Sequence, residues 1–146
     1  MREILFRGQT RRFGEKVNMK GEKLPGNWVY GGIFPQNKGG DKAIIYQQEP
    51  EIEKFVVYAD TVGQYTGLTD KNGNKIFEGD IVKTHSGLVG RVAFGAYNDD
   101  EDEMYAYGWY WRGKDQCGYS LFLGLDPEWI GHEVVGNIYD GEYKND

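Results

Sequence analysis

Gln64-Tyr65-Thr66-Gly67-Leu68-Thr69-Asp70-Lys71-Asn72-Gly73-Asn74-Lys75-Ile76-Phe77-Glu78-Gly79-Asp80-Ile81-Val82-Lys83 is the stretch on which the fold turns. Tyr65–Leu68 and Lys75–Phe77 are short strand-forming runs. Asn72-Gly73 between them suits the two central positions of a type I′ turn, where both residues need positive φ. A hairpin is therefore expected. Glu78-Gly79 makes a turn into a second strand from Asp80, and Ser86-Gly87 reverses the chain into Leu88–Phe94. Two-residue periodicity puts Leu88, Gly90, Val92 and Phe94 on one face of that return strand and Val89, Arg91 and Ala93 on the other. The first set suits a core.

Working outward, strand-like runs bounded by Gly, Asn, Asp and Pro recur at Glu3–Phe6, Trp28–Phe34, Lys42–Tyr46, Lys54–Tyr58, Val89–Tyr97, Tyr105–Arg112, Ser120–Leu123 and Val134–Tyr139. Helical periodicity is scarce. Glu49–Glu53 and Asp126–Ile130 suit short helical turns, the second with Asp126 as N-cap and Pro127 at the first helical position. The 22 glycines among 146 residues disfavour long helices, since each interior glycine costs about 1 kcal/mol relative to alanine. Connections too short for parallel crossovers predict antiparallel pairing. The expected fold is mainly β: a small antiparallel SH3-like barrel or roll over residues 61–146, preceded by an irregular, β-rich arm or subdomain over residues 1–60.

Composition narrows the function classes. A single cysteine, Cys117, forms no internal bridge, which points to a reducing compartment. No stretch approaches the roughly 20 apolar residues that span a bilayer, so a cytoplasmic protein with no membrane partner is expected. The formal charge of −6 argues against a generic nucleic-acid binder, whose affinity is dominated by neutralising phosphates. Residues 1–25 run the other way, with seven Lys or Arg against Glu3, Glu15 and Glu22. Arg7, Arg11, Arg12, Lys16 and Lys20 are the candidate basic segment.

Constellations that carry chemistry are not evident. Cys117, His85 and His132 are too widely spaced for a zinc motif. Ser86 and Ser120 lie in no nucleophile elbow, and a Cys117–His132 pair would need a spatial meeting that the sequence does not specify. The glycines lack the strand-then-helix setting of a phosphate-cradling loop. Glu78 and Asp80 read as turn chemistry, with Asp80 bonding nearby backbone amides. Asp99-Asp100-Glu101-Asp102-Glu103 lacks calcium-loop spacing and reads as a solvated loop. No catalytic residue, cofactor or metal site is expected. The remaining feature is Tyr105-Ala106-Tyr107-Gly108-Trp109-Tyr110-Trp111. Strand periodicity aligns Tyr105, Tyr107, Trp109 and Trp111 on one face, as core, subunit interface or stacking platform. Four large rings are many for one strand's share of a small core, which favours partial exposure or a subunit contact.

The central block from Val62 to Val82 resembles the YopX family of phage and prophage proteins. Further matches lie in Ile4-Leu5-Phe6-Arg7-Gly8, Trp28-Val29-Tyr30-Gly31 and Glu133-Val134-Val135-Gly136-Asn137-Ile138-Tyr139. The resemblance implies a phage- or prophage-encoded protein with a C-terminal SH3-like β-roll and an uncharacterised role, and it brings no catalytic residues to transfer. The chain departs from the family pattern between Asn98 and Cys117. The expected function is that of a non-enzymatic accessory protein in the host cytoplasm, a binding or oligomerising module that forms homo-oligomers or contacts a host or phage protein. The alternative is nucleic-acid binding through the basic segment. An enzyme with an unusual carboxylate site ranks below both.

Overall fold

Alternation along the strands builds two sheets. The computed structural model describes residues 4–34, 40–48, 50–84, 87–98, 105–113, 118–120 and 132–140. In chain order its strands are β1 (Phe6–Arg11), β2 (Asn27–Phe34), β3 (Lys42–Gln47), β4 (Glu53–Tyr58), β5 (Gly63–Thr69), β6 (Lys75–Phe77), β7 (Asp80–Lys83), β8 (Val89–Asn98), β9 (Tyr105–Gly113), β10 (Gly118–Ser120) and β11 (Glu133–Asn137). A 3-10 turn over Ala59–Thr61 links β4 to β5. Residues 50–52 hold no helix, so the turn expected around Glu49–Glu53 is replaced by the approach to β4. The one expected at Asp126–Ile130 lies outside the described residues. No helix is long and apolar enough to cross a membrane among the described residues.

The chain forms two compact units, divided between Gly67 and Leu68, with Tyr139 and Asp140 returning to the first. In the first unit the strand order is β4-β3-β2-β1-β5, with antiparallel pairing throughout. Its core is Val29, Ala43, Ile45 and Val57, with Phe6, Phe55, Ala59 and Val62 packed against it. Strands β1–β4 pair regularly among the described residues, within the stretch where an irregular, β-rich arm or subdomain was expected. The glycines that suggested irregularity occupy close-packed places instead. A Cβ on Gly8 would lie 2.8 Å from Val57 Cγ2, and one on Gly31 would run into the Tyr46 carbonyl.

The first strand also corrects the sequence reading, which placed it at Glu3–Phe6. Phe6–Arg11 is poor in apolar side chains, yet Arg7, Gly8 and Gln9 are all buried. Its burial is polar. Gln9 donates its backbone N–H to Thr61 Oγ1 at 2.9 Å, and its side-chain amide donates to Asp140 Oδ1 at 2.7 Å. Trp28 Nε1 donates to the other Asp140 oxygen, also at 2.7 Å. Asp140 thus clasps β1 and β2 together.

The second unit has the order β10-β9-β8-β7-β11. Its core is Ile76, Val82, Val92, Trp109 and Trp111, with Leu68 and Val134 packed against it. Numbered in chain order, β1–β5 and β7–β11 both run fourth, third, second, first, fifth, and the first sheet continues from β5 to a sixth strand, β6. Among the described residues neither order closes on itself.

The hairpin into β6 exists, but its turn differs from a two-residue type I′ turn. Gly73 N–H donates to the Asp70 carbonyl at 3.0 Å, and Gly73 carries φ +83°. Lys71 and Asn72 are therefore the central pair, and the glycine is the left-handed residue that follows. The reason is Asp70. One carboxylate oxygen accepts the N–H groups of Asn72 and Asn74, and the other accepts Val134 N–H at 2.9 Å. Burial alone would push this carboxyl up, but the Val134, Asn74 and Asn72 amides outweigh it and hold it below its ordinary value. Asp80, almost fully buried, accepts Phe77 N–H at 2.7 Å. Both aspartates accept backbone amides.

Candidate functional site

The aromatic run separates along β9. Trp109 and Trp111 belong to the second core, and Trp111 Nε1 donates to the Val82 carbonyl at 3.0 Å. Tyr107, two residues before Trp109, is 76% exposed. The side chain of Tyr105 lies outside the described residues. At the facing pair Gly95↔Gly108 both glycines hold φ near +148°, a conformation that disfavours side chains, and burial changes across that step. Phe94, 48% exposed, stacks edge-on with Trp109 at 4.9 Å and Tyr107 at 5.3 Å between centroids. Of the face expected to suit a core, Gly90 and Val92 are buried, while Leu88 and Phe94 lie at its exposed ends.

The basic segment does not converge into one patch. The Arg7 guanidinium is buried 4.4 Å from the centroid of the Trp28 ring. Arg11 donates to the Pro25 carbonyl at 3.1 Å. Arg12 pairs with Asp60 at 2.7 Å, which raises its pKa further, and lies over the Tyr58 ring. Lys16 and Lys20 are exposed on the β1–β2 connection. Three of the five cations are thus engaged within the unit.

The first unit carries a surface that sequence reading missed. Ile45, Ala43 and Val57 point into the core, so alternation sends their strand neighbours to the opposite face. From β2 that face receives Tyr30, Gly32 and Phe34; from β3, Lys42, Ile44 and Tyr46; from β4, Lys54, Val56 and Tyr58. Register sets them in rows: Gly32–Tyr46–Lys54, Phe34–Ile44–Val56 and Lys42–Tyr58. Tyr30 is 43%, Phe34 51% and Val56 54% exposed. The Phe34 and Tyr46 rings meet edge-on at 6.1 Å, and Gly32 beside them is open, with nothing within 4 Å of where a Cβ would stand. No carboxylate comes from these positions. At the Tyr58 end the Tyr58 hydroxyl donates to Glu15, which pulls the Glu15 carboxyl down and pushes the tyrosine up. Lys42 Nζ sits 3.6 Å from the Tyr58 centroid. The signal available in sequence was the Tyr-Gly-Gly-Ile-Phe segment of β2, where the paired glycines hide the alternation.

Among the described residues no group of three or more His, Cys, Asp or Glu side chains could hold a metal. His132 is buried in the second unit, and its carbonyl accepts Lys71 N–H at 2.9 Å. Cys117, His85 and the acidic run Asp99–Glu103 lie outside the described residues.

Comparison with known proteins gives one family. The model of the YopX protein family matches residues 28–142, which span the outer face, both hairpin aspartates and the β8–β9 ribbon. No curated protein and no solved structure matches the chain. With most of its length matched, this chain belongs to the YopX protein family.

Proposed function

We propose that this YopX-family chain is a phage- or prophage-encoded accessory protein that works in the host cytoplasm by binding, not by catalysis, and that it does so as a homo-oligomer. In this reading each unit is an SH3-like roll, a reading supported by their shared strand order, and the contact surface is the outer face of β2–β4. One observation carries the proposal: large apolar side chains occupy solvent-facing strand positions in a contiguous set, Tyr30, Phe34, Tyr46 and Val56. Isolated exposed apolar residues are ordinary, but contiguous ones mark contact surfaces. A photo-crosslinking residue in place of Phe34 or Tyr46, in cells carrying the phage, should give discrete cross-linked species. The same residue at Met19 or Leu88, exposed positions outside β2–β4, should give none. Equal labelling at all four positions, or turnover by the purified protein, would defeat the proposal.

The second reading, nucleic-acid binding, gains one observation. The whole negative charge falls on the second unit by count: ten Lys or Arg against ten Asp or Glu in residues 1–67 and 139–142, and seven against thirteen in the remainder. The aromatic face with Lys42 and Lys54 therefore stands on a neutral unit, and bases stack on such rings. This moves the expected contact from the N-terminal basic segment to the sheet. Single-stranded oligonucleotide retention that falls steeply with salt supports it. No retention at low salt ends it.

A further inference from the structure

We infer that the facing arginines Arg91 and Arg112 form an oxyanion site for a compact phosphate, free or as a terminal monoester. The site lies on the second unit's sheet and is independent of the contact face proposed on β2–β4. Val92, Trp109 and Trp111 belong to the core, so alternation turns Arg91, Ala93, Tyr110 and Arg112 to the opposite face of β8 and β9. Register sets Arg91 directly across from Arg112, in a row that runs Ile81–Arg91–Arg112–Gly118. Two cations thus stand side by side, with an apolar residue on one flank and a glycine on the other.

Like charges directly opposite on antiparallel strands are destabilising, and a guanidinium does not shed its proton to relieve the repulsion. A neighbouring carboxylate would relieve it, but neither arginine has an ion pair among the described residues. The next row on one side holds Ala93 and Tyr110. On the other side it runs Glu133–Lys83–Val89, and that glutamate faces Lys83 and lies 4.0 Å from Lys71. Arg112 Nε is buried without an acceptor, and its guanidinium carbon sits 5.2 Å from the Tyr110 ring centroid. A ring so placed attracts the cation but offers no lone pair to its N–H groups. Both arginines are half-buried, where hydrogen bonds are electrostatically stronger than in open water. Two forks select the ligand. Each matches a pair of oxygens on one centre. A phosphate monoester has three terminal oxygens and can engage both forks, whereas the two oxygens of a carboxylate saturate one. Charge selects its size. The unit carries seven Lys or Arg against thirteen Asp or Glu. A polymer crossing it would bring further phosphates within a Debye length, about 8 Å at physiological salt, of that acidic excess. A compact anion brings none.

The repulsion gives a test that a structural role would not imitate. In the full chain, inorganic phosphate or adenosine 5′-monophosphate, titrated at constant ionic strength, should saturably shift the Nε–H resonances of Arg91 and Arg112. Arg91→Gln and Arg112→Gln should each weaken binding about tenfold or more. Lys20→Gln, on the β1–β2 connection, should leave it unchanged. In phosphate-free buffer each glutamine variant should equal or exceed the wild type in urea stability, read at the Trp111 indole, which also shows it to be folded. Arg91→Glu should raise the urea midpoint and abolish binding, because its carboxylate would then occupy Arg112. No saturable shift with either compound overturns the inference, as does binding that survives both glutamine variants. Glutamine variants less stable than wild type without phosphate would make the arginines supports of the fold and remove the site. A single-stranded oligonucleotide bound through both arginines, where neither small phosphate binds, would assign them to a polymer and refute the compact ligand.

Discussion

Gly31 and Gly32 are adjacent and chemically identical, and the structure assigns them opposite tolerances. A Cβ on Gly31 would collide with the Tyr46 carbonyl, and backbone cannot yield as a flexible side chain can. Gly31→Ala should therefore cost about 3 kcal/mol or more, in the range of overpacking. Gly32 meets nothing within 4 Å, and its φ lies outside the left-handed region. Gly32→Ala should be neutral, or stabilise by up to about 1 kcal/mol by restricting the unfolded chain. Urea unfolding of the two variants checks both signs at once. Sequence shows two glycines in a strand; it cannot show that β2 turns one toward the neighbouring backbone and the other toward water. The outer aromatic face escaped sequence reading for the same reason.

At the level of elements, Asp70 joins the β5–β6 hairpin to β11, since it accepts amides from Asn72 and Asn74 on one side and from Val134 on the other. Its carboxyl is held below its unfolded value, so the stabilisation is present above the unfolded pKa, about 3.9, and is lost as pH falls through the folded value. Denaturant titrations from pH 7 downward should show stability falling below about pH 4, with a shallower fall in Asp70→Asn. At pH 7 the substitution should cost about 2 kcal/mol, because one amide donor would meet the new NH2 group. An unchanged acid limb would remove Asp70 from this role. Strand positions were legible where apolar and aromatic runs lie between turn residues, as in Lys42–Tyr46 and Val89–Tyr97, each of which the structure extends by one residue. β1 was not legible, because Arg7 and Gln9 are buried through Trp28, Asp140 and Thr61 and not through hydrophobicity. Asp140→Ala tests that account: with two donors stripped of their acceptor, a loss of about 2–4 kcal/mol is expected, and the Trp28 indole N–H resonance should shift. A silent Trp28 would contradict the clasp.

For the whole molecule, the hidden variable was strand order. Local patterns locate strands but do not say that the fifth lies beside the first in both units. The two cores share no member: Val29, Ala43, Ile45 and Val57 form one, and Ile76, Val82, Val92, Trp109 and Trp111 the other. Substitutions without shared partners act separately. Ile45→Ala deletes a side chain with no exposed surface and should cost its unit about 2–5 kcal/mol; Val92→Ala should cost the other about 2–3 kcal/mol. Tryptophans report each unit, Trp28 the first and Trp109 and Trp111 the second. Their indole N–H resonances followed through urea should give two transitions. Ile45→Ala should move the Trp28 transition and leave that of Trp111 in place, and Val92→Ala should do the reverse. Equal displacement of both transitions by either substitution would mean that the two units unfold as one cooperative body, despite their separate cores.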